Sequence, residues 1–398
     1  MMRHYDFDTL YDRRGTSSLK YDFAMQRVGR TDLLPLWVAD MDFRLPEEIL
    51  AVLKERADRG FFGYTDPDSA YYDTLEKWFA DRYQVRIDRS WNTVTPGIVY
   101  AISCAIRSFT KEGDAVLIQE PVYYPFREMI EKNGRVCVSS DLVLREAPEL
   151  HFEIDFAELE ETLRTSHPKL MLLCSPHNPA GRVFSREELE RIADLCLRYD
   201  VLLLADEIHC DFIFEGHAFT SLLSLDERIL DRAIICTSAS KSFSIAGLQT
   251  ANILIPNPDL QRRFGEVNAA TGYSQGNVFG LAATKAAYDL GGAWLDELGA
   301  YLQGNLDFVR DYLKERLPQL RLVEPEGTYL LLVDFGNVVK TYGELRDLIQ
   351  NRAHLWLDDG ILFGRKTALF ERFNIACPRS VLEQAFSQLE AAVKEERK

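Results

Sequence analysis

Three short stretches in the middle of this 398-residue chain gather side chains suited to covalent chemistry. Each follows a short apolar run. Leu170–Cys174 leads into Ser-Pro-His-Asn-Pro-Ala-Gly (175–181), Val201–Ala205 into Asp206-Glu207-Ile208-His209, and Ala233–Cys236 into Thr237-Ser238-Ala239-Ser240-Lys241. Taken singly, Asp206 reads as a helix cap, Asn178 as a turn residue beside Pro179, and Lys241 as a solvated surface amine. Together they meet a specific demand. An aldehyde-bearing cofactor needs an amine to condense with, a carboxylate to keep a pyridine nitrogen protonated, and hydroxyls and N–H groups around a phosphate. Open parallel α/β sheets bind ligands beyond the carboxyl ends of their strands, where all three stretches are expected to lie.

A fourth stretch, Thr95–Ile102, puts a glycine at the start of an apolar helix, where the N–H groups of Gly97 and Ile98 can face an anion. Alone, that signal is weak. Ser238-Ala239-Ser240-Lys241 with Ser244, however, resembles the lysine signature of fold-type I pyridoxal-phosphate (PLP) enzymes, the aspartate aminotransferase superfamily, and the resemblance extends over nearly the whole chain. It implies that Lys241 carries the cofactor, that Asp206 partners its ring nitrogen, and that Asn178 contacts its phenolic oxygen. His209 stands three residues after Asp206, where many relatives place a tyrosine near that same oxygen.

By the same resemblance Ser238 joins Gly97 and Ile98 around the phosphate. Tyr64, in Phe62-Gly63-Tyr64-Thr65, matches a tyrosine that reaches the phosphate from the neighbouring subunit, so a homodimer is implied. Tyr123, in Pro121-Val122-Tyr123-Tyr124-Pro125, falls where relatives stack an aromatic ring on the pyridine; read in isolation it is core packing. Arg372, in Arg372-Phe373-Asn374, matches the arginine that grips the substrate α-carboxylate, a task suited to a planar guanidinium fork. Its bland reading is a surface ion pair.

Two segments, Leu36–Phe43 and Asp206–Asp211, resemble the cystathionine β-lyase/cysteine-S-conjugate β-lyase branch, and so does Ala246–Gln249, where many aminotransferases carry an arginine in place of Gln249. The branch implies an amino-acid substrate contacted by Ala39 and Arg372. Lys241 then removes the α-proton, Asp206 keeps the ring nitrogen protonated, and a thiolate leaves the β-carbon, giving pyruvate and ammonia. The stretch Phe363–Phe370 departs from the branch, being poorer in glycine, and its bulkier side chains are expected to reshape the substrate entrance. A class I/II aminotransferase would use the same residues, and a regulatory protein retaining the fold is a second alternative. A nicotinamide dehydrogenase is disfavoured because no G-x-G-x-x-G follows a strand; neither a GK[ST] loop nor an HExxH motif occurs. His209-Cys210-Asp211 lacks a second ligand cluster, so no metal site is expected.

The elements that must position these residues follow from hydrophobic rhythm. The apolar runs, with a further one at Ala115–Ile118, read as buried strands separated by helices, hence an α/β fold with a doubly wound parallel sheet; the fold-type I resemblance implies a mostly parallel seven-stranded sheet in a three-layer large domain. Ser185 with Glu188, and Asp155 with Glu158, mark helix starts. After about residue 290 a helix over Tyr301–Leu317, strands at Tyr329–Phe335 and Phe373–Cys377, and a closing helix from Ser380 suggest a smaller α+β domain. The expected division is 1–48 joining the small domain, 49–289 large, and 290–398 small.

Composition agrees. With 62 acidic against 46 basic side chains, a net charge of -16 disfavours nucleic acid and anionic lipid as partners. Seven scattered cysteines without a C-x-x-C pair, and no apolar leader in MMRHYDFDTLYDRRG, point to a reduced cytoplasmic protein.

Overall fold

The computed structural model describes residues 5–395; residues 1–4 and 396–398, which the expected domain boundaries take in, lie outside it. Its principal sheet has seven strands: β1 (Asn92–Thr95), β2 (Ala115–Ile118), β3 (Val136–Ser139), β4 (Leu170–Cys174), β5 (Leu202–Asp206), β6 (Ala233–Thr237) and β7 (Ala251–Leu254). Their order is β1-β7-β6-β5-β4-β2-β3. β7 runs antiparallel to both neighbours, whereas β2 through β6 are mutually parallel.

The central strands are buried on both faces, as parallel strands sandwiched by helices must be. Leu170, Leu172 and Cys174 of β4 enter one core with Ile102, Phe126 and Phe264, while Met171 and Leu173 enter the opposite core with Leu189 and Ile192. This alternation makes three layers. The helix Arg186–Arg198 opens with the expected capping box between Ser185 and Glu188, and Phe156–Ser166 opens on Asp155.

A second, antiparallel sheet holds β8 (Arg321–Leu322), β9 (Leu330–Asp334), β10 (Asp358–Asp359) and β11 (Phe370–Asn374) in the order β8-β9-β11-β10. β11 lies three residues earlier than the apolar pattern suggests, because its interior carries Glu371 and Arg372, both fully sequestered from solvent. The helix placed at Tyr301–Leu317 spans Gly292–Arg316: Trp294, Leu295 and Leu298 extend its buried stripe toward the N-terminus. The closing helix covers Arg379–Glu395.

β1 (Asn-Thr-Val-Thr) carries little apolar signal, and Asn252 interrupts the apolar run of β7. Polar residues in β1 and β7 are matched inside the sheet: Asn92 Nδ2 and the Tyr71 hydroxyl both donate to Asn252 Oδ1 at 2.9 Å. Far from the middle in sequence, Leu34–Pro35 pairs in parallel with Leu355–Trp356. Among the described residues, no helix is long and apolar enough to cross a membrane, and all seven cysteines are free.

Candidate active site

Strands β4, β5 and β6 end side by side, and the loops after them carry Asn178, Asp206 with His209, and Lys241 to one rim. These residues line a single cavity of about 310 Å³ together with Gly97, Ile98, Tyr123 and Arg372. Ala39 completes the wall beside the lysine. The Lys241 ammonium donates to the Ala39 carbonyl at 2.8 Å, and burial beside Arg372 pushes its pKa down to about 8, against the pull of Asp40 and Asp206. A lysine so placed is a usable nucleophile and base near neutrality.

Asp206 is 3% exposed and accepts from the Ile208 N–H at 3.2 Å. Burial raises its pKa to about 7, so a cation brought beside it restores the ionised form. A protonated ring nitrogen is such a cation. His209 is buried as well, and desolvation together with the charges of Lys241 and Arg372 holds it well below its usual range, so it is a neutral imidazole. Its Nδ1 lacks a partner, and its ring meets the Tyr329 ring edge-on at 5.9 Å.

Gly97 caps the helix Ile98–Phe109 at φ 157°, a conformation side-chain-bearing residues rarely adopt. No side chain caps that helix, so its first N–H groups are open to an anion in the cavity. Of the two serines before the lysine, Ser240 lines the cavity. Ser238 lies directly behind Ser240: its Oγ is 2.8 Å from the Ser240 hydroxyl and 2.7 Å from the Thr250 carbonyl, and it accepts from the Ser240 N–H at 3.0 Å. Tyr64 stands apart from the cavity, 96% exposed.

Arg372 enters from β11 and stacks over Phe363, with its guanidinium 4.7 Å from the ring centroid. It donates to Asn178 Oδ1 at 2.9 Å and to the Trp37 carbonyl at 3.0 Å, and it pairs with the buried carboxylate of Asp358. Its Nε–H has no partner, a buried donor left for an incoming carboxylate. The surface ion pair is therefore ruled out by burial. Asp358 had no motif to announce it; it is legible only once β10 is seen to register Asp358 against Arg372.

The loop beneath Lys241 is clamped from both sides. Asn374 Nδ2 donates to the carbonyls of Val38 and Asp40 at 2.8 and 3.0 Å, while Ser244 Oγ donates to Asp40 Oδ1 and accepts from the Met41 N–H. An amine on a fixed carbonyl, an acid tuned by burial, a neutral imidazole, an open helix N-terminus and a buried guanidinium fit a phosphorylated aldehyde of the pyridine type bound to an amino acid.

Comparison with known proteins agrees with this geometry. The model of the aminotransferase class I and II family matches residues 31–389. The chain belongs to this family. Its sequence is 38% identical to cystathionine beta-lyase PatB of Bacillus subtilis (strain 168), over 98% of this chain and 100% of that protein. Its fold matches cystalysin from Treponema denticola, whose crystal structure contains pyridoxal 5'-phosphate, with a TM-score of 0.95 at 36% identity over 99% and 100% of the two chains. The PLP-bound C-S lyase from Staphylococcus hominis matches with a TM-score of 0.90 at 30% identity, over 98% of each chain. Within the family frame, Gln249 does line the cavity, and it brings no charge to the anion end. The glycine-poor stretch after Gly360 forms two short 3₁₀ turns, Gly360–Leu362 and Arg365–Thr367, between which Phe363 is presented to Arg372.

Proposed function

We propose that this chain is a PLP-dependent carbon–sulfur β-lyase that converts L-cystathionine or related cysteine S-conjugates to pyruvate, ammonia and a thiol. One observation carries the reading. The Trp37–Phe43 segment, where the lyase resemblance is densest, supplies the two backbone carbonyls that hold the chemistry: Ala39 to Lys241 and Trp37 to Arg372. Full-length similarity to named lyases supports it.

When bound, the cofactor supplies an electron sink for negative charge at the substrate α-carbon. In this reading Lys241 would hold the cofactor, and its amine, lowered toward neutrality by burial, would serve as the base that takes the substrate α-proton on Nζ. Asp206 would keep the ring nitrogen protonated, and Asn178 and His209, which line the same cavity, would hold the ring's oxygen substituent. Tyr123, in the cavity wall, would supply an aromatic surface for the ring. Arg372 receives the substrate α-carboxylate beside Ala39. Gly97 and Ile98, through their N–H groups, and Ser238, through its hydroxyl, would hold the phosphate.

Tyr64 reads as a residue lent to a second copy, because Phe61 and Phe62 beside it are also strongly exposed, at 80% and 58%, a patch an isolated chain would leave wet. The pairing of Leu34–Pro35 with Leu355–Trp356 supports assigning residues 1–48 to the small domain, with 49–289 as the large domain and 290–398 completing the small one. Free thiols throughout fit a cytoplasmic location.

Incubation with L-cystathionine in the absence of any keto acid is expected to release pyruvate and thiol in parallel. Product formation that requires a keto-acid acceptor would make the chain an aminotransferase. The lysine pKa sets a second expectation. Cofactor capture by apo-protein needs the neutral amine, so its rate, followed by visible absorbance, should rise with pH up to about 8 and then level. An ordinary lysine would keep accelerating to about 10.4.

A further inference from the structure

Beside the Lys241 cavity lies a second one of about 480 Å³, and the two share Trp37, Tyr123, Tyr124 and Asp358 as a common wall. The side chain of an amino acid held at Arg372 therefore has the second cavity as its immediate neighbour. Most charges lining the second cavity are already matched. Arg127 binds Glu120 and Glu131, Glu128 is paired with Lys132, and Asp358 with Arg372. Arg346 lies over the Tyr342 ring and contacts Gln350.

Arg27 differs. It projects from the short helix Ala24–Val28, is exposed, and rests with its guanidinium 5.2 Å from the Trp37 ring centroid. No described carboxylate lies within ion-pair distance of it, although its charge reaches Asp358 through space. A guanidinium stacked on an indole is restricted in orientation and keeps its N–H edge free for an anion. The indole is itself held: Trp37 stacks on Trp356 at 4.5 Å with 13° between the planes.

We propose that the second cavity is the subsite for the departing half of the substrate, and that Arg27 binds an anionic group of carboxylate type carried by the leaving thiol. This rests on the reading of the chain as a lyase of cysteine S-conjugates. It makes Arg27 a specificity-determining residue, one that favours conjugates whose sulfur substituent ends in a carboxylate over simple alkyl conjugates of similar length.

Two α-methylated ligands, S-(2-carboxyethyl)-α-methylcysteine and S-propyl-α-methylcysteine, test it by calorimetric titration of the holoenzyme, because without an α-proton neither is cleaved. The wild type should bind the carboxylate ligand about tenfold more tightly, the scale of one charge-assisted contact. Arg27→Ala should abolish that preference, Arg27→Lys should keep part of it, and raising the salt should shrink it, since Arg27 is exposed. Equal affinities in the wild type overturn the proposal, as does a preference that survives in Arg27→Ala or vanishes only in Arg346→Ala. Pyruvate release from L-cystathionine by the wild type without any keto acid is read separately: its absence would sink the lyase reading and leave the binding result to decide the subsite.

Discussion

Replacing Lys241 with alanine is expected to lower pyruvate release from L-cystathionine by roughly 10³-fold or more, the scale of losing a positioned base that also holds the cofactor. The visible absorbance of the Lys241-bound cofactor should vanish with it, while circular dichroism stays that of a folded protein. The fold survives because the side chain contributes one hydrogen bond, to Ala39, and its ammonium is disfavoured by burial beside Arg372. A colourless wild type after cofactor supplementation would remove the basis of the assignment. The same variant tests the exposed tyrosine. Mixed and re-equilibrated Lys241→Ala and Tyr64→Ala chains should regain activity, because a hybrid dimer holds one site with both residues intact. No recovery would mean that Tyr64 serves no neighbouring site.

The second large effect concerns Arg372. Arg372→Ala should reduce kcat/KM by about 10²- to 10³-fold, the usual cost of truncating one member of a buried charged pair in a binding site. It should also destabilise the protein by about 3–5 kcal/mol, because Asp358 is left buried without its cation. The pH dependence follows. Burial already raises the Asp358 pKa, and without Arg372 the folded state holds that proton more tightly than the unfolded chain does. The deficit should therefore shrink as pH falls, which urea midpoints at several pH values would report. Arg372→Leu combined with Asp358→Leu should recover much of the stability and none of the activity. A double variant as unstable as the single one would show that the pair is not the source of the loss.

How much of this was legible beforehand depended on where the signal lay. Buried parallel strands are apolar on both faces, so β2, β4, β5 and β6 stand out as short runs, and the rim residues follow from their ends. β1 and β7 do not, because Asn92 and Asn252 are paid for by hydrogen bonds to each other and to Tyr71, partners distant in sequence. β11 was misplaced for a related reason: Glu371 and Arg372 look like surface residues until β9 and β10 flank them. In the site, motif matches located Lys241, Asp206, Asn178 and Arg372. They were blind to the groups that tune those residues, such as Asp358 on Arg372 and the Ala39 carbonyl on Lys241. Arg27 belongs to no motif, and its interest comes from a cavity only folding creates.

The clamp on the loop beneath Lys241 has a consequence for the order of events at the ribosome. Val38 and Asp40 are gripped by Asn374, and Leu36 accepts from the Asn374 N–H, so this segment waits for a partner 336 and 334 residues further along the chain. A nascent chain that has exposed β4 to β6 already displays Lys241 and Asp206, yet Ala39 cannot be fixed beneath the amine until β11 emerges. Closing so long a loop is among the slower steps of folding. A cofactor carried by Lys241 would therefore find its seat complete only after β11 has been made.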